Sequence, residues 1–417
     1  MKILYVCHRF PYPPRRGGKI RPFNMIRHFA RSHEVTVCSL VRSEAEAREG
    51  EGLAAHCARY EMVRVHDPLQ ALRMVARLPT PVPSSFGFFH SQALARRIRA
   101  AAARERFDLA FVHCSSVARY VEDLDVPKIL DFGDMDSHKW RDYARAKAFP
   151  LAWGYALEAW KLGREEARLA RRFDTCTATT KAEWEALEAL GSGTPADWFP
   201  NGVDGEYFAP STAPYDPDRI VFVGRMDYYP NQQCMAEFCA SVMPILRARR
   251  PTVTLAIVGA DPSPDVRRLG EQPGVAVTGS VPDVRPYLHE AALMVAPLRI
   301  ARGTQNKILE GMAAGLPVVT SPVAAGGVDA AAPEHLLVAD GPQAWADAIL
   351  RVLEHPHERA RLAHAARARA LSHHAWPASM RRLDGIVERC LARGRLPAPA
   401  TARGAQSQPN RTEKETM

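Results

Sequence analysis

Short apolar runs of strand length alternate along the chain with longer stretches whose apolar residues recur at helical spacing. In the first half the runs are KILYVC, EVTVCSLV, EMVRV, DLAFVHC, KILDF and DTCTATT. In the second they are RIVFVG, TVTLAIVG, VAVTG, ALMVAPL, PVVTS and HLLVA. Strands alternating with helices in this way predict parallel βα units, and two such series predict two doubly wound α/β domains. Between them lies DWFPNGVDGEYFAPSTAPYDPD, dense in Pro, Gly, Asn and Asp, where a chain would cross from one domain to the next. The boundaries follow: an N-terminal Rossmann-like domain over 1–203 and a second domain over 204–373. A last helix over 374–394 is expected to cross back onto the first domain, since the proline after Trp376 favours a fresh helix start. Residues 395–417 lack apolar periodicity and are expected to be disordered.

Composition narrows the class. At 417 residues, with 47% hydrophobic and 24% charged residues, the chain is long enough for two cores and ordinary for a soluble protein. A net charge of +9 suits an anionic substrate, an anionic membrane surface or nucleic acid, without choosing among them. Nucleic-acid-binding motifs are missing, and arginine-rich helical stretches account for the charge. The eight cysteines are scattered without metal-ligand spacing, which predicts reduced thiols and no metal site. The start, MKILYVCHRF, reads as a first strand rather than a secretion signal, and no apolar run is long enough to span a membrane. A cytoplasmic protein is expected, with peripheral contact at the inner face of the membrane left open.

Three loops suit anions. Cys7 leads into HRFPYPPRRGGK, where Gly17 and Gly18 precede a helix expected to begin near Ile20. Val223 leads into GRMDYYPN, with Gly224 and Arg225 ahead of a helix expected near Asn231. The third is RGTQNKILEGMAAGLPVV at 302–319, where Asn306 opens a helix carrying Lys307 in its first turn. Glycines let backbone amides approach a phosphate, and a helix N-terminus adds favourable potential. Glu310 follows Lys307 by three residues, on a similar helix face.

The stretches FPNGVDGEYFAP, VFVGRMDYYPN, VTGSVPDVRPYLHEAALMVAPL and GTQNKILEGMAAGLPVVTS resemble, in this order, the C-terminal half of retaining glycosyltransferases of family 4. Among these the chain is similar to bacterial sugar transferases of exopolysaccharide and exosortase systems. The resemblance implies a GT-B fold, two Rossmann-like domains facing a cleft, and sugar transfer with retention from a nucleoside-diphosphate sugar to a glycan or lipid-linked acceptor. It implies no cofactor and no metal, the nucleotide-sugar being substrate. Without a metal, protein cations must offset charge on the leaving diphosphate; Arg225 and Lys307 are the pair expected to do so. Gly303, Thr304 and Gln305 offer amides to sugar hydroxyls or the distal phosphate, and Glu310 a carboxylate to the ribose.

Two departures stand out. Eight positions before Glu310, where the family carries its first glutamate, this chain has Arg302, and no lysine follows closely behind Arg225. In the N-terminal half, ILDFGDMDSHKWRDYA offers Asp131, Asp134, Asp136 and His138 to the cleft; Asp134 is counted with the catalytic candidates, and His138 is left without a role. The segment LQALRMVARLPTPVPSSFGFFHSQALARRIRA reads either as a membrane-resting surface or as an internal helix and loop, with the second preferred. Trp153, Tyr155 and Trp160 are read as core or cleft wall. Alternatives to the transferase are a non-catalytic donor-binding partner of the same fold, a nucleotide-sugar epimerase and a nucleic-acid-binding protein.

Overall fold

A computed structural model of the protein describes residues 1–15 and 17–394; the expected disordered segment, 395–417, lies outside the described residues. The first domain holds β1 (Lys2–Cys7), β2 (Glu34–Val41), β3 (Arg59–Arg64), β4 (Leu109–His113), β5 (Lys128–Gly133), β6 (Thr175–Ala178) and β7 (Ala196–Trp198). The second holds β8 (Arg219–Val223), β9 (Thr254–Val258), β10 (Val275–Gly279), β11 (Leu293–Ala296), β12 (Val318–Thr320) and β13 (Leu337–Val338). The sheet orders are β3-β2-β1-β4-β5-β6-β7 and β10-β9-β8-β11-β12-β13. Each ladder is parallel, as in Cys7 opposite both Ser39 and His113. Helices cover both faces of such sheets, so β11 throughout and β1 after its leading Lys2 are buried runs. The short β7 was not expected from the sequence.

Both sheets share the doubly wound order in which the chain reverses direction between the first and fourth strands. Ligands of such sheets bind in the crevice outside the strand C-termini at that reversal. Here the reversals lie at β1/β4 and at β8/β11, and the loops leaving these strands carry most of the residues discussed below.

The chain passes between the domains twice, side by side. Val203 pairs with Ala375 in an isolated parallel bridge, and the Val203 amide donates to the His374 carbonyl at 2.6 Å. Beyond that crossing the helix Trp376–Gly394 lies on the first domain. Its Trp376, Met380, Leu383, Ile386, Val387 and Cys390 share a core with Ile3, Tyr5, Met25, Phe29 and Phe111. Asp384 accepts from His28 at 2.7 Å and Arg389 donates to Asp197 at 2.6 Å.

The structure corrects one reading of the aromatic residues. Trp153 and Trp160 are not core; they stand 67% and 54% exposed on the helix Leu151–Ala170, where Glu158, Ala159, Leu162 and Glu166 are the buried residues. Tyr155 is half-buried against Trp140 and Tyr143.

Leu383 is fully buried. Leu383→Ala should lower stability by about 2–5 kcal/mol through lost burial and a residual cavity, read as a shift of the denaturant midpoint. An unchanged midpoint would mean that the last helix contributes little to the first domain.

Candidate functional site

At the C-terminal edge of the first sheet sits a buried polar cluster centred on Asp131, which is fully buried. Arg21, from the helix Gly17–Phe29, donates to both of its carboxylate oxygens, Nε at 2.9 Å and one terminal nitrogen at 3.1 Å. His113 Nδ1 lies 2.8 Å from Asp131 Oδ2, and Thr177 donates to Oδ1 at 3.0 Å. Burial alone would raise the Asp131 pKa, but Arg21 and His113 hold it well below the usual carboxylate range. The other end of Arg21 donates to the Phe199 carbonyl at 2.9 Å and to Asn201 Oδ1 at 3.1 Å. Asn201 Nδ2 in turn donates to Asn306 Oδ1 at 3.0 Å, so a continuous chain of bonds runs from the first sheet to the helix Asn306–Ala313 of the second domain.

In the second domain, the loop after β8 and the helix Asn306–Ala313 converge. A Cβ at Gly224 would fall 2.8 Å from Asn231 Nδ2 and 3.1 Å from Lys307 Nζ, so only glycine allows this approach. Lys307 Nζ donates to Asn231 Oδ1 at 2.6 Å and stands 4.5 Å from the centre of the Phe222 ring. Asn231 Nδ2 donates to the Arg225 carbonyl at 2.8 Å, tying the loop to the ammonium. Burial lowers the Lys307 pKa to about 8 and raises that of Glu310 to about 7; the attraction between the two charges opposes both shifts. The Arg225 guanidinium rests on Asp227, at 3.0 and 2.7 Å, and on Asp261.

Many helices of the protein close their first turn with a side chain, as Ser43, Ser91, Thr180, Ser263 and Ser321 do. The two that flank the Gly224 loop, Tyr229–Ser241 and Asn306–Ala313, have no side-chain cap. The first starts at Tyr229 rather than near Asn231 and the second at Asn306 as expected, while the helix after the first loop already starts at Gly17. Uncapped first turns leave amides for an anion. Thr304 Oγ1 is buried without a partner, and Gln305 Nε2 donates to the Arg302 carbonyl at 3.0 Å.

The domains meet at Gly303. Its φ of +61° puts it in the left-handed region, and a Cβ there would fall 1.8 Å from Asp134 Oδ1. Asp134 accepts from Thr179 at 2.8 Å, and burial raises its pKa. Gly17 lies opposite Asn306, where a Cβ would stand 4.0 Å from Nδ2; Gly18 neighbours the Arg9 side chain. Arg302 crosses the same boundary, with Nε 2.8 Å from Asp142 and a second nitrogen 3.6 Å from Glu183. Tyr143 reaches Tyr228 at 3.4 Å, and Lys147 stands over the Tyr229 ring at 3.4 Å.

The structure therefore gathers Gly17, Asp134, Gly224, Gly303, Asn306 and Lys307 around one cleft, with Arg225 and Glu310 on the same loop and helix. His138 is half-buried on the helix Asp136–Ala146 and its pKa is lowered by burial and then by Arg141 and Arg302. Three cleft residues escaped the sequence reading: His113, Asn201 and Asn231. For His113 the signal was a lone histidine at the C-terminal end of an apolar run, directly after DLAFV. Among the described residues no group of three or more His, Cys, Asp or Glu side chains is arranged to hold a metal ion.

Two Rossmann-like domains with their strand reversals facing a common cleft define the GT-B fold. Residues 217–355 match the family described as Glycosyl transferases group 1. No curated protein sequence matches the chain. In three dimensions it is similar to sucrose-phosphate synthase of Thermosynechococcus elongatus (TM-score 0.70, 16% identity, 94% of this chain and 100% of that one). It is similar also to HepE of Anabaena solved with UDP (TM-score 0.68, 16% identity, 93% and 100%). A third likeness is to an S. aureus TarM variant in complex with Fondaparinux, alpha-GlcNAc-glycerol and UDP (TM-score 0.66, 10% identity, 92% and 99%).

Asp131 supplies a test of the cluster. Because its folded pKa lies below that of an unfolded chain, its stabilisation is complete above about pH 4 and is lost as pH falls toward the folded value. Asp131→Asn leaves Arg21 buried without its counter-charge and should cost roughly 3–5 kcal/mol at pH 7. It should also flatten the acid side of the stability profile. Denaturation series between pH 3 and pH 7 would show either this loss or, against the account, parallel profiles for both proteins.

Proposed function

We propose that the protein is a glycosyltransferase that moves a sugar from a nucleoside-diphosphate donor to a glycan or lipid-linked acceptor, with retention at the anomeric carbon and without a metal. The observation that carries this reading is the Lys307 ammonium, set against Gly224 in the first turn of an uncapped helix, with Glu310 one turn further along. That places one cation and several free amides at the strand reversal of the second sheet. A carboxylate of opposite charge stands where a ribose would follow.

When the bond between anomeric carbon and diphosphate breaks, negative charge grows on the leaving phosphate. Lys307, the amides of Gly303, Thr304 and Gln305, and Arg225 after exchange of its Asp227 and Asp261 partners would offset it. Glu310 would accept the ribose hydroxyls. Asp134, its pKa raised by burial, is assigned to the acceptor hydroxyl, and Gly17 and Gly18 to the donor from the other wall. The matched family and the UDP bound by HepE and TarM make a uridine donor the first to try. A role in exopolysaccharide assembly rests on the sequence resemblance alone.

Glu310→Gln should weaken donor binding by roughly 1.5–3 kcal/mol, the range for a hydrogen bond to a charged group. Lys307→Ala should lower turnover more than affinity, by about 10²-fold or more, and EDTA should leave activity unchanged. Calorimetry and donor hydrolysis measured side by side decide this; strict Mg²⁺ dependence, or near-normal turnover in Lys307→Ala, removes the clamp.

The two titrations give a pH signature. The donor needs Lys307 charged, which fails as pH rises through about 8, and Glu310 ionised, which fails as pH falls through about 7. Affinity should therefore peak between these values. In Glu310→Gln the acid limb should vanish while the alkaline limb stays; an unaltered acid limb would assign that limb to another group.

A further inference from the structure

The helix Asp67–Ala76 is turned inside out for a protein in water. Its polar Gln70 is fully buried and donates to the carbonyls of Phe88 and His90, at 2.9 and 3.0 Å. Arg73 turns the same way, to Gln70 Oε1 at 2.7 Å and the His90 carbonyl at 2.9 Å. The aliphatic residues face outward: Leu69, Leu72 and Val75, with Leu78 just past the helix end, are 46%, 63%, 53% and 49% exposed. An ordinary surface helix has the opposite polarity.

The helix Leu151–Ala170 is joined to the segment that follows. Its Lys161 is buried and donates to the carbonyls of Arg77 and Leu78, at 3.2 and 2.7 Å, while Glu158 takes the amides of Ser84 and Ser85 at 2.9 and 2.8 Å. The two segments are thus bolted together by their polar residues. Along the second segment Phe149, Leu151, Trp153 and Trp160 are exposed, and Trp160 precedes the Lys161 that holds the Leu78 carbonyl. The charge is one-sided as well. Residues 68–104 contain six arginines and no carboxylate, with Arg97 and Arg104 facing Glu61 of β3 at 2.8 and 3.8 Å, and in 143–164 the sole carboxylate, Glu158, is buried. Arg164 lies 4.8 Å from the Trp160 ring centre, and Arg145, nearby in sequence, is exposed and paired with Asp142 at 3.3 Å.

We propose that this face docks on an anionic lipid bilayer, an inference that does not rest on the transferase reading. Exposed aliphatic side chains that need no polar partner, exposed tryptophans and a local surplus of arginine over carboxylate match an acyl boundary under negatively charged headgroups. A second copy of the chain fits less well, since a two-fold contact would set the same basic face against itself. The face adjoins the cleft: Tyr155 meets Tyr143 edge to face, and Tyr143 reaches Tyr228 of the second domain. Docking therefore brings the cleft rim to the membrane.

The test is co-sedimentation of the full chain with vesicles of phosphatidylcholine alone and of phosphatidylcholine with phosphatidylglycerol. The mixed vesicles should bind it and the neutral ones far less, with binding falling as salt screens the headgroups beyond about 8 Å. Leu72→Asp and Trp160→Asp should each reduce binding about tenfold or more with unaltered thermal unfolding, while Val338→Asp, exposed on the second domain, should bind as the parent does. The proposal is overturned by absence of binding to mixed vesicles or by equal binding of the variants. It is equally overturned by a dimer in vesicle-free sedimentation that the same substitutions dissolve.

Discussion

The arrangement of the cleft depends on one buried ion pair, Arg21 with Asp131. A forked guanidinium and a carboxylate, both shut off from water, hold each other with two parallel bonds. From Asp131 the bonds spread to His113 at the end of β4 and Thr177 in β6; from Arg21 they spread to the interdomain segment at Phe199 and Asn201. Asn201 then holds Asn306, the first residue of the helix that carries Lys307. A buried pair of this kind adds little net stability over an apolar core, and its use is to fix geometry. Here it fixes the C-terminal edge of one sheet relative to a helix N-terminus of the other domain.

Charge in the cleft is sorted by depth. Lys307 and Glu310, one turn apart, are shifted in opposite directions by the same burial, so both change charge close to neutral pH. Arg302, in the place where the resembling family has a glutamate, is taken up by Asp142 and Glu183 from the first domain. Together with the Tyr143 and Lys147 contacts to the Tyr228–Tyr229 pair, that makes a polar and aromatic seam across the cleft mouth. The seam places the unusual arginine at a domain contact as well as near the candidate donor site.

The twelve expected strands were legible because a doubly covered parallel sheet demands continuous apolar runs, and each run stands out between polar helices. The strand β7 was not, since its ADW carries no run and it is held by pairing to β6 alone. In the candidate site, the convergence of Gly224, Lys307 and Glu310 was legible because glycine turns beside a helix start that carries a lone cation combine residue types that packing does not require. His113, Asn201 and Asn231 were hidden: a single polar residue at a strand end or in a loop looks the same whether or not it bridges distant segments. The tryptophans at 153 and 160 misled for a related reason. Helical spacing shows that they share a face, but which face is buried was decided by Glu158 and Lys161, polar residues whose partners lie 70 to 85 positions away in the chain.

The central claim is that a nucleoside diphosphate binds at the first turn of the helix Asn306–Ala313 through protein cations and amides. A crystal structure of the protein with uridine diphosphate, grown with a chelator, tests it most directly. The account predicts the distal phosphate within hydrogen-bond distance of Lys307 Nζ and of amides in 303–305, with both ribose hydroxyls on Glu310. A nucleotide bound elsewhere in the cleft, or one held only when a divalent cation bridges it to carboxylates, would contradict it.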